Sequence, residues 1–235
     1  MNLRAVFDEF RRNAAAFGWR SAVAALTLGA IKRVFGVRVL RAMYVTAVAP
    51  TFAAAAADVS ADFFDRETLR RMTSDARYDL TSDFLDEALA KGDECYGIVD
   101  GTRPAAYGWY AHTPTKLSDD LRLSFDPKYV YMYKGLTLEA YRGRRLHAIG
   151  MTAALAAYRA RGYKGLVTYV DADNLNSLKS SHRMGYVDVG RVFLMKLGGR
   201  HVILRTPGCA AFGLRVEPIP GNARPRPRPP GPKHP

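Results

Sequence analysis

Between Val130 and Val170 the chain passes from strand-prone to helix-prone sequence and back, and this succession constrains the fold more than any other feature. Val-Tyr-Met-Tyr-Lys-Gly-Leu-Thr-Leu (130–138) reads as a strand. Leu146 to Arg161 is rich in Ala, Leu and Arg and meets Gly162, as a helix with a glycine stop should. Gly165 to Val170 reads as a strand again. At the first junction lies Tyr141-Arg-Gly-Arg-Arg-Leu-His147, where strand must turn into helix.

That junction has a chemical consequence. A helix beginning near Leu146 leaves its first amides unpaired and pointing backwards, and the helix dipole adds partial positive charge there. Such an end is an anion receptor. Gly143 permits a tight turn, and Arg142, Arg144 and Arg145 add cationic forks suited to phosphate. A pyrophosphate is the natural occupant; a solvated basic loop and a nucleic-acid patch are the other readings of the same residues. Further on, Asn174-Leu-Asn-Ser-Leu-Lys-Ser-Ser-His-Arg-Met-Gly-Tyr186 reads as strand end, cap, short helix and glycine stop.

The flanking sequence sets the frame. Asp62 to Met72 and Ser82 to Lys91 read as short helices with Ser60 and Ser82 as caps. Cys95 to Val99 and Ala105 to Ala111 are β-prone runs around Asp100-Gly101, a hairpin signal. Val187 to Leu197 and His201 to Leu204 supply the last strands, with Gly198-Gly199 as their turn. The order of helices, hairpin, strand, helix, strand, helix and strands predicts an α+β fold with a mixed α/β sheet. Residues 1–45 are predicted to form a basic amphipathic helical extension. Leu3, Val6, Phe7, Phe10, Ala14 and Phe17 make one apolar stripe, with Arg4, Arg11 and Arg12 off it. A helix of this kind packs on its own domain, on a partner, or peripherally on a membrane. The tail 218–235 holds 8 of the 13 prolines and no acid, and is expected to be disordered.

Composition excludes several classes. A net charge of +13 calls for an anionic partner: a phosphorylated cofactor, nucleic acid or an acidic membrane face. Aromatic residues do not interleave with the basic clusters, so no nucleic-acid partner is expected. Cys95 and Cys209 form no CxxC pair, which supports neither a disulfide framework nor a metal cluster and fits a reducing cytoplasm. The apolar run from Ala22 to Ile31 is about 10 residues, against the roughly 20 of a membrane-spanning helix.

Taken together, Leu136 to Leu146, the Ala-rich helix, Tyr163 to Val170 and Asn174 to Tyr186 resemble the GNAT family of acyl-coenzyme A-dependent N-acyltransferases. The likeness covers roughly Tyr96 to Leu197, within a GNAT-like domain expected over residues 58–205. The family loop is Arg/Gln-x-x-Gly-x-Gly/Ala after a strand; its later block is Asn, a small residue three on, then Gly-Phe/Tyr. Arg142, Gly143, Asn174, Ser177, Gly185 and Tyr186 match. Arg145 and His147 stand where the family often has its loop glycines, and Ser181 stands where many members carry a tyrosine regarded as the general acid. Among relatives, Arg-Gly-x-x-Leu with Asn-x-x-Ser-Leu-Lys-Ser is most similar to members acting on amino sugars.

The resemblance implies transfer of an acetyl (acyl) group from acetyl-CoA to a small-molecule primary amine, without a metal. It implies a cofactor site of Leu136, Thr137, Leu138, Arg142, Gly143, Arg144, Arg145, Leu146, His147, Asn174 and Ser177, with the strands ending at Leu138 and Val170 splayed to admit the thioester. An amine must lose a proton to attack, so a base is sought among Asp171, Glu139, Asp173, His112 and Tyr133. Asp171, at a strand end facing the presumed cleft, ranks first as catalytic residue, with Ser181 at the acid's position. A second reading stays open: a GNAT-like module that binds coenzyme A as a sensor at an anionic surface.

Overall fold

The computed structural model describes residues 3–53, 59–197 and 200–220. The turn expected at Gly198-Gly199, the domain start at Asp58 and the tail from Gly221 lie outside the described residues. Two helices open the chain, α1 (Leu3–Phe17) and α2 (Trp19–Phe35), hinged at Gly18, whose φ of 82° suits glycine. Then follow β1 (Arg38–Val45), α3 (Pro50–Ala53), β2 (Ser60–Phe63), α4 (Arg66–Thr73), α5 (Ser82–Ala90), β3 (Glu94–Asp100) and β4 (Arg103–Ala111). The chain continues through β5 (Thr115–Ser118), β6 (Leu121–Ser124), β7 (Tyr129–Thr137), α6 (Leu146–Ala160), β8 (Gly165–Asp171) and α7 (Leu175–Arg183). It closes with β9 (Val187–Leu197), β10 (Arg200–Arg205) and β11 (Arg215–Pro218).

An eight-stranded sheet in the order β10-β9-β1-β8-β7-β4-β3-β2 forms the centre. Its pairs are antiparallel except β7 with β8, so the sheet is mixed and the class is α+β, as predicted. The Asp-Gly hairpin forms where its signal lies, with Asp100 opposite Arg103 and Gly101 at φ 60°. On one face α6 lays Leu146, Ile149, Leu155 and Tyr158 against Ile98, Tyr110, Val130 and Leu166. On the other, Leu69, Met72 and Leu85 of α4 and α5 cover Cys95, Tyr107 and Trp109. A three-stranded sheet, β11-β6-β5, covers the rest of that face through Leu121, Leu123 and Val216.

Three departures from the sequence reading have physical causes. The helical extension ends at Phe35, because residues 38–45 form β1 in the middle of the sheet, paired to β8 from Leu40↔Asp171 to Val45↔Leu166. The strand buries Leu40 and Ala42 on one face and Met43 and Val45 on the other, a burial no single helix face would provide. The helix expected from Asp62 begins only at Arg66. Ser60 is a strand residue opposite Val99, and Asp65 caps the helix by accepting the Thr68 N–H at 2.7 Å. Phe63, edge-on to Tyr96 at 4.8 Å, holds that segment in the sheet. Likewise α5 is capped by Thr81, whose hydroxyl accepts the Phe84 N–H, and not by Ser82.

β7 and β8 pair only at Tyr129↔Gly165, Val130↔Leu166 and Tyr131↔Val167. Beyond those residues the two parallel strands part. The Thr168 hydroxyl donates to the Met132 carbonyl at 2.9 Å just where they separate. The splay that the family resemblance implied is therefore present, and it opens the sheet at the carboxyl ends of the one parallel pair among the described residues.

Candidate active site

The opening between β7 and β8 leads into a cleft of about 940 Å³. Leu136, Thr137, Arg142 and His147 line it from the strand and the loop, and Asn174, Ser177 and Ser181 line it from α7. A second chamber of about 510 Å³, lined by Gly143, Arg145, Arg183 and Phe52, shares His147 and Ser180 with the first. A third, of about 200 Å³, lies on the opposite side and shares Tyr133 with the cleft. The three spaces thus run in series across the sheet.

The anion-binding end is built as follows. After the turn at Glu139–Tyr141, Arg142 is extended, Gly143 sits at φ 85°, and Arg145 holds φ 60°, ψ 18° at the N-cap of α6. The left-handed conformation that a glycine adopts freely is here imposed on an arginine at about 1–2 kcal/mol. The turn therefore keeps its shape without the glycine. No side chain caps α6, so its leading amides remain available to a ligand. Among the described residues Arg142, Arg145 and Arg183 have no acidic partner, which leaves three guanidinium groups around the two chambers. Arg144 differs: it turns to Asp100, 3.9 Å away, and its guanidinium lies over the Tyr141 ring.

His147 stands at the junction of the two chambers against Gly135 of β7, where any Cβ would meet its ring. Burial lowers its pKa, so the imidazole is neutral. Leu138 and Leu146, expected in the cofactor site, are core side chains, and the Leu138 N–H is committed to Ala105. Apolar burial claims both, because each faces packed helix or sheet and not the opening. Asn174 caps α7, its amide oxygen accepting the Ser177 N–H at 3.1 Å. Ser181 is buried on the cleft wall.

The candidate bases separate clearly. Asp171 does line the cleft, but both its oxygens accept from Arg38, at 3.2 and 3.0 Å, and Lys32 stands 3.6 Å away. Two cations beside it hold it as a carboxylate and oppose its taking a proton. Asp173 pairs with Lys32 at 3.4 Å and does not cap the helix. His112 is bonded to Glu94 at 2.8 Å and packed beside Tyr158 and Tyr163, away from the cleft. Glu139 lies on the turn before Arg142 and lines none of the chambers.

Tyr133 reaches the cleft through a β-bulge. Trp109 opposes Lys134 while Tyr110 opposes Met132, which leaves Tyr133 as the extra residue. Tyr133 and Lys134 consequently both turn to Phe84 on the same face. The Tyr133 hydroxyl donates to Asp93 Oδ2 at 2.8 Å, and burial raises its pKa, so it keeps its proton and is no base itself. Asp93 was not singled out from sequence. Its side chain is fully buried, Lys91 pairs with Oδ2 at 2.8 Å, and Oδ1 has no partner. Burial raises its pKa, outweighing the bonds from Lys91 and Tyr133. A buried carboxylate of raised pKa, joined by a tyrosine hydroxyl to a cleft, is suited to accept a proton. No local signal marks Asp93, since it is an acid in a turn; Arg38 was hidden by the helical reading of residues 1–45. Arg183 stood within the Asn174–Tyr186 block, where a basic residue in a last helical turn is ordinary.

Among the described residues no group of His, Cys, Asp or Glu is arranged to hold a metal ion, and no helix is long and apolar enough to cross a membrane. Residues 58–186 match the model of the acetyltransferase (GNAT) family. No curated protein matches the chain. Among solved structures, a GCN5-related N-acetyltransferase-like protein from Streptococcus suis is similar at 16% identity and TM-score 0.47, over 74% of this chain and 66% of its own. A GNAT-family acetyltransferase from Colwellia psychrerythraea is similar at 13% identity and TM-score 0.47, over 73% of this chain and 56% of its own. A GCN5-related N-acetyltransferase from Sphaerobacter thermophilus is similar at 14% identity and TM-score 0.47, over 77% of this chain and 56% of its own. The chain thus spans less than two thirds of the length of each.

Proposed function

The chain belongs to the acetyltransferase (GNAT) family, and from that premise we propose that it transfers an acetyl group from acetyl-CoA to a primary amine borne by an amino sugar. The observation that carries the reading is the uncapped start of α6, ringed by Arg142, Arg145 and Arg183 and opening on the splay between β7 and β8. These residues fit an acyl-coenzyme A. The helix amides and the three guanidinium groups hold its phosphates, and the edge of β7 from Gly135 to Thr137 takes the pantetheine. When bound, the coenzyme supplies an activated acyl thioester.

The protein's part is positioning and proton removal. Tyr131 and Tyr133, stacked at 5.9 Å, line the cleft together with Tyr169 on the far side of the splay. Aromatic rings of this kind suit the apolar face of a sugar. The amine loses its proton to the Tyr133 oxygen as the Tyr133 proton passes to Asp93; its nitrogen bonds to the acyl carbon, the C–S bond breaks, and coenzyme A leaves as a thiolate that takes a proton from solvent. Cytoplasmic placement is part of the same reading, supported by the two free, buried cysteines.

Acetyl-CoA should raise the melting temperature by mass action, by about 2.7 kcal/mol of stabilisation at a hundredfold excess over Kd. No shift at millimolar ligand would sink the cofactor assignment. Arg142→Ala and Arg183→Ala should each weaken binding by about tenfold or more, whereas Arg144→Ala should leave it unchanged. Equal losses in all three would mean that only general charge is being read. Thiol release with amino sugars as acceptors tests the reaction, and Tyr133→Phe should lower kcat without changing the affinity for acetyl-CoA. Binding without release against any primary amine returns the chain to the sensor reading.

A further inference from the structure

The α1–α2 hairpin lies outside the residues matched to the family and takes no part in the chemistry above. Its inner side is covered: Ala22 and Ala25 are buried. Its outer side is not. Trp19, Val23, Leu26 and Val34 recur at three-, four- and eight-residue steps along one face of α2, with Trp19 65% and Val34 70% exposed. Phe35 and, on α1, Phe7 extend the exposed apolar surface. Six of the nine large apolar side chains exposed among the described residues lie on this hairpin, so the exposure is concentrated and not scattered.

The polar residues of the hairpin are of one predominant sign. The hairpin carries six basic residues, Arg4, Arg11, Arg12, Arg20, Lys32 and Arg33, and two acidic ones, Asp8 and Glu9. Arg11 and Arg20 place their guanidinium groups 5.9 and 5.5 Å from the rings of Phe7 and Trp19. An exposed aromatic ring with a guanidinium beside it suits the boundary between acyl chains and anionic headgroups. We infer that the outer face of the α1–α2 hairpin docks on an anionic membrane surface. α2 is about 25 Å long, enough to lie along the interface. The hairpin is tied to the rim of the cleft by Lys32 to Asp171 and Asp173, and by Lys179, which donates to the Ala16 carbonyl at 3.4 Å. Docking therefore holds the cleft beside the membrane.

The full chain should co-float with vesicles of equal parts phosphatidylcholine and phosphatidylglycerol, and not with phosphatidylcholine alone. A triple variant, Trp19→Ser with Val23→Ser and Leu26→Ser, changes exposed side chains only, so its melting temperature should match the parent while its vesicle affinity falls about tenfold or more. Arg11→Gln with Arg12→Gln and Arg20→Gln should also weaken flotation, by about fivefold for each charge removed. The inference is overturned if the parent does not float. It is equally overturned if the apolar triple variant floats as well as the parent, because binding then resides in other basic residues. A dimer seen by ultracentrifugation without flotation, and dissociated by the same triple variant, would assign the face to a second copy of the chain.

Discussion

Glu94 shows how a single residue ties the sheet to α6. Its carboxylate accepts from His112 at 2.8 Å and from Arg161 at 2.8 and 3.0 Å. Burial alone would raise its pKa, but the bonds from His112 and Arg161 outweigh that effect and bring it down to about 2. The folded value lies below the unfolded one, so the stabilisation is fully present above about pH 4.5 and is lost as pH falls through about 2. In denaturant melts, Glu94→Gln should be less stable than the parent at neutral pH, and the gap should close as the pH approaches about 2. A gap independent of pH would mean that the charge of Glu94 contributes nothing. His147, whose pKa is lowered by desolvation, also costs stability as pH falls below 6.5, but it does so in both proteins and cancels in the difference. Residue chemistry was partly legible from sequence. Arg142 and His147 were expected near the site and line it, while Arg144 and Leu138 were expected there and are engaged elsewhere. A motif states which residue types are near a loop; it does not state which way each side chain turns.

At the scale of elements, β1 and β8 are packed backbone against backbone where β8 begins. A methyl group at Gly165 would collide with the Val45 carbonyl and crowd Thr46, which neither backbone can relieve without breaking a ladder bond. Gly165→Ala should cost about 2–4 kcal/mol, read as a lower denaturant midpoint at unchanged slope. A loss under about 0.5 kcal/mol would show that the two strands can slide apart cheaply. The elements from Glu94 onward were largely legible, because α6 carries an Ala-rich run with a glycine stop and the β3–β4 hairpin carries Asp100-Gly101. The short strands β2, β5, β6 and β11 were not. Each is a four-residue piece; β2, β6 and β11 rest on a partner distant in sequence, such as β11 on β6 through Val216↔Leu123, and β5 rests on β6 alone. The bulge that aims Tyr133 into the cleft was invisible for the same reason: it is a property of two strands together.

For the molecule as a whole, the family-matched residues do not make the sheet by themselves. β1 lies between β8 and β9, and without it each strand loses one of its two ladder partners and the core loses Leu40, Ala42, Met43 and Val45. Removing residues 1–36 should leave a cooperative thermal transition, since the hairpin buries little against the sheet beyond Ala22 and Ala25. Removing residues 1–57 should abolish it. Cooperative melting of the shorter chain would mean that β8 and β9 can close on each other.

The order of strand and helix, the helix start loaded with arginine and the glycine at Gly143 were determined by sequence alone, because periodicity, caps and the unpaired amides of a helix end are local physics. Only the tertiary structure decided that β1 enters the sheet, that Arg38 occupies Asp171, and that Asp93 and Tyr133 meet across a chamber wall. Those are contacts between residues far apart in the chain, and burial is what gives them their chemistry: a carboxylate in a turn becomes a proton acceptor of raised pKa only once the folded sheet has removed it from water.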